Sequence, residues 1–257
     1  MYEEGRLSAV RLLLVEMKGG EAVEEALGAG VIWDQRGHVV VNYHAVSRAL
    51  GLDAAISAPA AAAGSPAASA AASVAAAAPA ASASSASAVR SLRCVVLDPS
   101  DGSAKDCAAQ LVGASRLHDL AVLLLPDAAQ ELLTPVPLGS LATLRVGQSA
   151  FAVALNSLSY GVVSGLRRPL PSPAGGLVPG GAVQTDATID AANSGGALLD
   201  SSGRLMGLCT AASTGSQAAT TRAGVARASS LGFAIPVDTV RAVVPQLIAY
   251  GRVVDAV

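Results

Sequence analysis

The amino-acid sequence predicts an all-β protein, a barrel or a sandwich, that is closed by one helix. Short apolar runs such as "AVRLLLVEM", "HVVVNYHAV" and "DLAVLLL" are separated by Gly, Pro, Asp and Asn along most of the chain. Strands at this spacing favour barrels or sandwiches over alternating β-α units. The segment "PVDTVRAVVPQLIAYG" instead carries apolar residues at helical spacing: Val240, Val243, Val244, Leu247 and Ile248. These share one face, so a helix over about residues 237–250 is predicted, bent or shortened by Pro245.

Size and charge limit the possible functions. The chain has 257 residues, enough for one large domain or two packed half-domains with real cores. Its 17 basic and 19 acidic residues give a net charge of −2, and Lys and Arg cluster at most in pairs. This argues against a nucleic-acid-binding or anionic-membrane-binding surface. The start, "MYEEGRLSAV", does not read as a secretory leader, and "VRLLLVEM" is too short for a membrane span.

Residues 54–89 differ from the rest of the chain. They are almost wholly Ala, Ser and Pro and carry no charge. Such a segment has too little large apolar surface to order itself, and long surface insertions cost little closure entropy. We expect a disordered insertion in a loop between two strands.

The three cysteines form no C-x-x-C pair and have no metal-ligand spacing. Two of them flank a predicted hairpin, "CVVLDPSDGSAKDC", whose turn signal is "PSDG". If the turn is centred there, Cys94 and Cys107 lie opposite each other. Two interpretations stay open: two small core residues, or a redox-labile cross-strand disulfide. Cys209 has no evident mate.

A lone serine in "AANSGGAL" is a candidate nucleophile, but serine needs a base, normally histidine, supported by a carboxylate. His44 follows a strand-like run, whereas His38 is expected to be solvated in a turn and His118 to have a surface role. Taken singly, each candidate has a structural explanation, and "NSGG" alone could be a simple turn. The ordered set His44, Asp119 and Ser194 is stronger, since each member stands in its own motif.

Several long motifs together resemble the Deg/HtrA family of serine proteases. They are "GAGVIWDQRGHVVVNYHAV", "HDLAVLLL", "LRVGQSAFAVA", "GVVSGL", "QTDATIDAANSGGALLDSSGRLMGLCTAA" and "GFAIPVDTVRAVV". The resemblance implies a chymotrypsin-like fold of two six-stranded β-barrels, the first in residues 1–130 and the second, with its closing helix, in residues 131–257. Since the chain stops at Val257, no PDZ domain is expected, as in the short plastid Deg branch.

The same resemblance implies roles for individual residues. His44 would be the general base, Asp119 its orienting carboxylate and Ser194 the nucleophile, in a cleft between the barrels. The oxyanion hole would use the backbone N–H groups of Ala192 and Ser194. Small, uncharged residues would line the substrate pocket and favour a small apolar side chain before the cut bond: Thr210, Ala211 and Ala212. No metal or organic cofactor is implied.

One departure from the family concerns the oxyanion hole. Ala192 stands where the family generally has Gly, so a backbone with positive φ would be strained there. The sequence therefore leaves an active serine endopeptidase and an impaired homologue, acting as a structural or regulatory subunit, as alternatives. An all-β binding module without a triad is a third.

The family also implies partners and a location. Substrates would be unfolded or damaged proteins, and the chain would form homo-oligomers or associate with a sister Deg subunit. It would act in the thylakoid lumen of the chloroplast.

Overall fold

The computed structural model describes residues 2–18, 21–51, 90–191, 193–210 and 231–254. In the first half of these residues the strands are β1 (Ala9–Lys18), β2 (Glu21–Ile32), β3 (His38–Asn42), β4 (Arg90–Leu97), β5 (Ala104–Ser115) and β6 (Leu120–Leu124). In the second half they are β7 (Ser149–Ala154), β8 (Ser157–Arg168), β9 (Ala182–Thr185), β10 (Ala197–Leu199), β11 (Leu205–Thr210) and β12 (Gly232–Pro236). The α-helices are α1 (Tyr2–Leu7), α2 (Tyr43–Leu50) and α3 (Val237–Tyr250), and short 3₁₀ helices cover Asp127–Leu132 and Leu141–Thr143.

The strands form two closed barrels whose neighbours are antiparallel. The first has the order β1-β2-β3-β6-β5-β4 and the second β10-β11-β12-β9-β8-β7. Closure removes exposed strand edges, which would otherwise be sites for pairing with another chain. The predicted fold class, a chymotrypsin-like double six-stranded β-barrel with a C-terminal helix, is confirmed.

Strands β3 and β6 are apolar on both faces because they separate two cores. Val39 and Val41 of β3 point into the first barrel, whereas Val40 joins the cluster that lies between the barrels. In β6, Leu123 lies in the first barrel and Val122 in the shared cluster. A strand buried on both faces needs an unbroken apolar run, which explains "HVVVN" and "LAVLL". The ends of these two strands consequently lie next to the second barrel.

Each terminal helix packs against the barrel that is farther away in sequence. Helix α1 precedes the first barrel, but its Gly5 lies against the Leu199 side chain of β10, which would have to shift to admit a larger residue. Helix α3 follows the second barrel, but Gly113 of β5 lies against Gly251 at its end, and the Ala114 N–H donates to the Gly251 carbonyl at 3.2 Å. The helices therefore hold the two barrels together.

Helix α3 buries the predicted apolar face, including Val240, Val243, Val244 and Leu247. Pro245 was predicted to bend or shorten it, yet the helix continues to Tyr250 and so is not shortened. Burial of this face against both barrels outweighs the one backbone hydrogen bond that proline removes. The insertion predicted at residues 54–89 lies outside the described residues. No helix among the described residues is long and apolar enough to cross a membrane.

Candidate active site

Strand register brings His44 and Asp119 together. His44 is the second residue of α2, directly after β3, and Asp119 directly precedes β6. In the antiparallel β3–β6 pair, Asn42 lies opposite Leu120, so the end of one strand meets the start of the other. The Tyr43 N–H also donates to the Asp119 carbonyl at 3.1 Å. Asp119 has a φ of 54°, a left-handed conformation that aspartate tolerates better than most side chains.

The Asp119 carboxylate orients the His44 imidazole. His44 Nδ1 lies 2.8 Å from Oδ2 and 3.0 Å from Oδ1, and the His44 backbone N–H donates to Oδ1 at 3.0 Å. Because a carboxylate only accepts, Nδ1 carries the proton, and the neutral ring keeps Nε2 as an acceptor. The Asp119 side chain is 5% exposed, whereas the His44 side chain is 38% exposed. The pair is a buried acid holding a base that faces solvent.

The glycines that follow Ser194 allow a tight turn against the first barrel. Gly195 has a φ of 87°, and a side chain there would collide with the Ala29 carbonyl. The Ala29 N–H donates to the Ser194 carbonyl at 2.7 Å, and the Gly195 N–H to the Cys209 carbonyl at 2.7 Å. Ser194 is 6% exposed and lies at the contact between the barrels.

The Ser194 hydroxyl and amide are both hydrogen-bonded. The hydroxyl donates to Asn42 Oδ1 at 3.2 Å, two residues before His44 in sequence. The Ser194 N–H donates to the Asp190 carbonyl at 3.0 Å. The sequence predicted that this N–H would point towards an oxyanion; in this structure Asp190 occupies it. Ala192, the other predicted donor, lies outside the described residues.

The turn before Ser194 is stabilised by side chains that sequence analysis did not assign. Asn193 Oδ1 accepts from the Asp190 N–H at 2.9 Å, and the Asn193 N–H donates to Asp190 Oδ1 at 3.1 Å. Asn193 Nδ2 also donates to the Thr188 carbonyl at 3.0 Å. Asn and Asp commonly bind nearby backbone groups in this way, so the presence of both residue types just before Ser194 could have indicated this turn.

Thr210, one of the predicted pocket residues, lies next to Asp119. It is buried at the end of β11, and its hydroxyl lies 3.4 Å from Asp119 Oδ2. The other predicted pocket residues, Ala211 and Ala212, lie outside the described residues. A cavity of about 400 Å³ adjoins the Ser194 turn, and the described residues that line it are mostly small and apolar but include the charged Arg11. Its remaining walls include Val10, Ala26, Gly28, Ala29, Ala154 and Ala191.

Two histidine predictions were wrong. His118 is buried, not at the surface: Nδ1 lies 2.8 Å from Ser115 Oγ, and Nε2 has no hydrogen-bond partner within the described part of the chain. Burial lowers the pKa of His118. His38 is also buried, because Nδ1 binds Asp34 Oδ2 at 2.7 Å across the β2–β3 turn. In each case a local hydrogen bond to Nδ1 compensates for part of the lost hydration.

Cys94 and Cys107 are direct partners in the β4–β5 ladder, as the symmetric hairpin predicted. Both are free thiols here, Cys94 fully buried and Cys107 half-buried, and burial raises the pKa of each. The disulfide stays a prediction. Within the described ranges, no cluster of three or more His, Cys, Asp or Glu side chains could hold a metal ion.

Comparison with known proteins gives a consistent result. Residues 28–208 match the trypsin-like peptidase domain. The chain is 37% identical over 233 residues to chloroplastic Protease Do-like 5 of Arabidopsis thaliana, covering 88% of this chain and 58% of that protein. It is 35% identical to chloroplastic Protease Do-like 1 of the same plant, covering 90% of this chain and 41% of the relative. The chain thus spans about half the length of these relatives.

A solved structure extends the match to the fold. The crystal structure of Deg5 aligns with a TM-score of 0.66 and 32% identity, covering 98% of this chain and 94% of that one. The motif resemblance and both barrels agree with these matches. The chain belongs to the trypsin-like peptidase family, and its relatives there are Deg/HtrA serine proteases.

Proposed function

We propose that this protein is a serine endopeptidase that works through an acyl-enzyme. The observation that carries the proposal is the His44–Asp119 pair, in which ring Nδ1 and the His44 backbone N–H both bind the carboxylate. Ser194 lies near this pair, since Asn42, to which its hydroxyl is bonded, is two residues before His44. Family membership raises the expectation that these three side chains act as a triad.

In the proposed reaction, His44 Nε2 takes the Ser194 hydroxyl proton while Oγ attacks the scissile carbonyl carbon. The C–N bond then breaks, and the imidazolium returns its proton to the leaving amine. Water repeats these steps on the resulting ester and releases Ser194. Asp119 holds Nδ1 and stabilises the imidazolium by its negative charge. The reaction uses no metal or organic cofactor.

The proposed oxyanion hole consists of the N–H groups of Ala192 and Ser194. To act there, the Ser194 N–H must leave the Asp190 carbonyl, so the turn before Ser194 has to rearrange when substrate binds. One such donor is typically worth about 10²–10³ in turnover. The activity of the proposed enzyme therefore depends on this turn.

We further propose substrates, partners and a location on the strength of the Deg/HtrA relatives. Substrates are unfolded or damaged proteins, and Thr210, Ala211 and Ala212 favour a small apolar side chain before the cut bond. The chain assembles with itself or with a sister Deg subunit. The chloroplastic relatives support a plastid location. Within the plastid we propose the thylakoid lumen.

A fluorophosphonate probe tests the proposed chemistry. Wild type should be labelled covalently and should degrade an unfolded model protein, and Ser194→Ala should do neither. Ser202→Ala, an exposed serine eight residues away, is the matched control and should behave as wild type. Wild type that folds but is not labelled, alone or with a sister subunit, would contradict the proposal.

The alternative is a catalytically impaired homologue that supports an active sister chain. It is favoured by one specific observation: Asn42 and Asp190 accept the hydroxyl and amide protons of Ser194. Under this alternative, addition of this protein should raise the sister subunit's turnover even when it carries Ser194→Ala. If Ser194 is labelled when the wild-type protein is mixed with the sister subunit, this protein is an active protease and the alternative is wrong.

A further inference from the structure

Asn42 connects two members of the proposed triad. It is the last residue of β3, is 0% exposed and directly precedes α2, which carries His44. Its side chain binds Asp119 through the main-chain carbonyl and Ser194 through the hydroxyl. A buried amide needs hydrogen-bond partners on both its nitrogen and its oxygen, and these contacts provide one for each.

The two partners fix which way the amide points. Asn42 Nδ2 lies 3.4 Å from the Asp119 carbonyl oxygen, which can only accept a hydrogen bond. If the amide were flipped, two acceptor oxygens would face each other there. Oδ1 must therefore face Ser194, and because Oδ1 only accepts, the Ser194 hydroxyl must be the donor of the 3.2 Å hydrogen bond.

This donor direction has a chemical consequence. A hydroxyl has one proton, and a proton held by Asn42 cannot at the same time be transferred to His44 Nε2. For attack, the hydroxyl must leave Asn42 by rotation of the Ser194 side chain about its Cα–Cβ or Cβ–Oγ bond. The vacated Oδ1 would then lie buried without its donor. The loss of an ordinary hydrogen bond changes an equilibrium constant by roughly 2- to 12-fold, so the resting arrangement is favoured by this factor.

We propose that Asn42 is a positioning residue that keeps the Ser194 hydroxyl in a resting rotamer and releases it when substrate binds. The inference rests on the proposed serine endopeptidase function and adds a residue to it. The Asn42–Ser194 contact is one part of a resting state, and the hydrogen bond from the Ser194 N–H to the Asp190 carbonyl is the other part. Asn42 keeps the nucleophile unreactive without touching substrate.

Asn42→Leu tests this, since leucine has a similar branched shape but neither accepts nor donates. In the labelling reaction Oγ bonds to phosphorus, fluoride leaves and the hydroxyl proton passes to His44. We expect the rate constant for labelling Ser194 to rise about 3- to 10-fold in Asn42→Leu, and also in Asn42→Ala. Asn42→Asp keeps an acceptor for the hydroxyl and should label no faster than wild type.

If Asn42 had only a structural role, every variant would be labelled more slowly than wild type. An increase in the labelling rate constant therefore distinguishes the proposed role from a structural one. An unchanged or lower rate in folded Asn42→Leu and Asn42→Ala would overturn the proposal. If neither variant folds, a crystal structure of the wild type decides: Ser194 Oγ on Asn42 supports the proposal, and Oγ on His44 Nε2 overturns it. Loss of labelling in Ser194→Ala tests the protease function separately, since that result does not depend on Asn42.

Discussion

The two barrels contribute to the candidate site in different states. The first barrel presents His44 and Asp119 already paired at 2.8 Å. The second presents Ser194 with its hydroxyl on Asn42 and its amide on Asp190, partners that the proposed reaction does not use. The base and its acid are therefore assembled, whereas the nucleophile and its oxyanion donor are not.

The difference follows from how each group is held. His44 and Asp119 lie at the ends of β3 and β6, and the ladder between these strands fixes their separation. Ser194 lies on a turn held by side chain–backbone hydrogen bonds, each worth only about 0.5–1.5 kcal/mol net. A turn of this kind can exchange partners at small cost, and a strand ladder cannot. Regulation of such a protease is expected in the second barrel.

The largest effect is expected from a substitution that removes the acid of the first barrel. Asp119→Asn keeps the shape of the side chain but no longer favours the Nδ1–H tautomer of His44. We expect kcat to fall about 10⁴-fold with the fold intact. Steady-state proteolysis measures kcat, and circular dichroism shows whether the fold is intact.

A second histidine–aspartate pair provides the control. His38 binds Asp34 at 2.7 Å, away from the cleft, so Asp34→Asn should leave kcat within about twofold. A similar loss of activity in both variants would mean that the effect is general destabilisation, and the first barrel would not be the assembled half.

The next effect concerns stability of the first barrel. Treatment with oxidised glutathione should join Cys94 and Cys107 by thiol–disulfide exchange, which releases two glutathione thiols. Exchange should be slow, because burial raises both thiol pKa values. The closed loop of about 14 residues predicts a gain of about 3 kcal/mol in the free energy of unfolding.

A thiol count under denaturing conditions measures the reaction. It should fall from three to one in wild type and stay at two in Cys107→Ser. Three remaining thiols in wild type would show that the predicted disulfide does not form. If the barrels unfold separately, only the transition of the first should move.

Thr210→Val tests the contact that crosses from the second barrel to the acid of the first. The variant loses a long hydrogen bond of 3.4 Å to Asp119 Oδ2, so we expect kcat to fall about 3- to 10-fold with KM nearly unchanged. Thr185→Val, which loses a part-buried hydrogen bond to the Val162 carbonyl in the second barrel, should lower stability but not kcat. Equal kcat losses in both would argue against a specific role for Thr210.

The smallest effect is a pH dependence in the first barrel. Burial lowers the pKa of His118 in the folded protein, so the unfolded chain binds a proton more readily. The free energy of unfolding should therefore fall as pH drops through the unfolded value near 6.5, by less than about 1.4 kcal/mol per pH unit from this group. Urea unfolding at pH 7.5, 6.5 and 5.5 should show a shallower fall in His118→Gln. Identical slopes would exclude His118 as the cause.

Much of this arrangement could be predicted because it depends on residues that are close together in the sequence. The apolar runs predicted the strands, the glycines after Ser194 predicted a tight turn, and the hairpin centre predicted the Cys94–Cys107 pairing, which the β4–β5 register confirms. The family motifs predict the double barrel. The triad assignment itself stays a prediction until the labelling experiment.

Other features depend on neighbours that are distant in sequence. Asn42 meets Ser194 across 152 positions, so no window of sequence shows the contact. The burial of His118 depends on tertiary packing rather than on the residues next to it, which suggested a surface. Whether the Ser194 amide faces the cleft depends on the peptide rotations of one turn, and several rotations fit the same letters.

The crossed packing of the two terminal helices bears on the order in which the protein matures during translation. The base-bearing half leaves the ribosome first, yet the helix that clamps its β5 strand is synthesised only after the hydroxyl-bearing half. A nascent chain therefore has no clamped cleft until both halves have emerged.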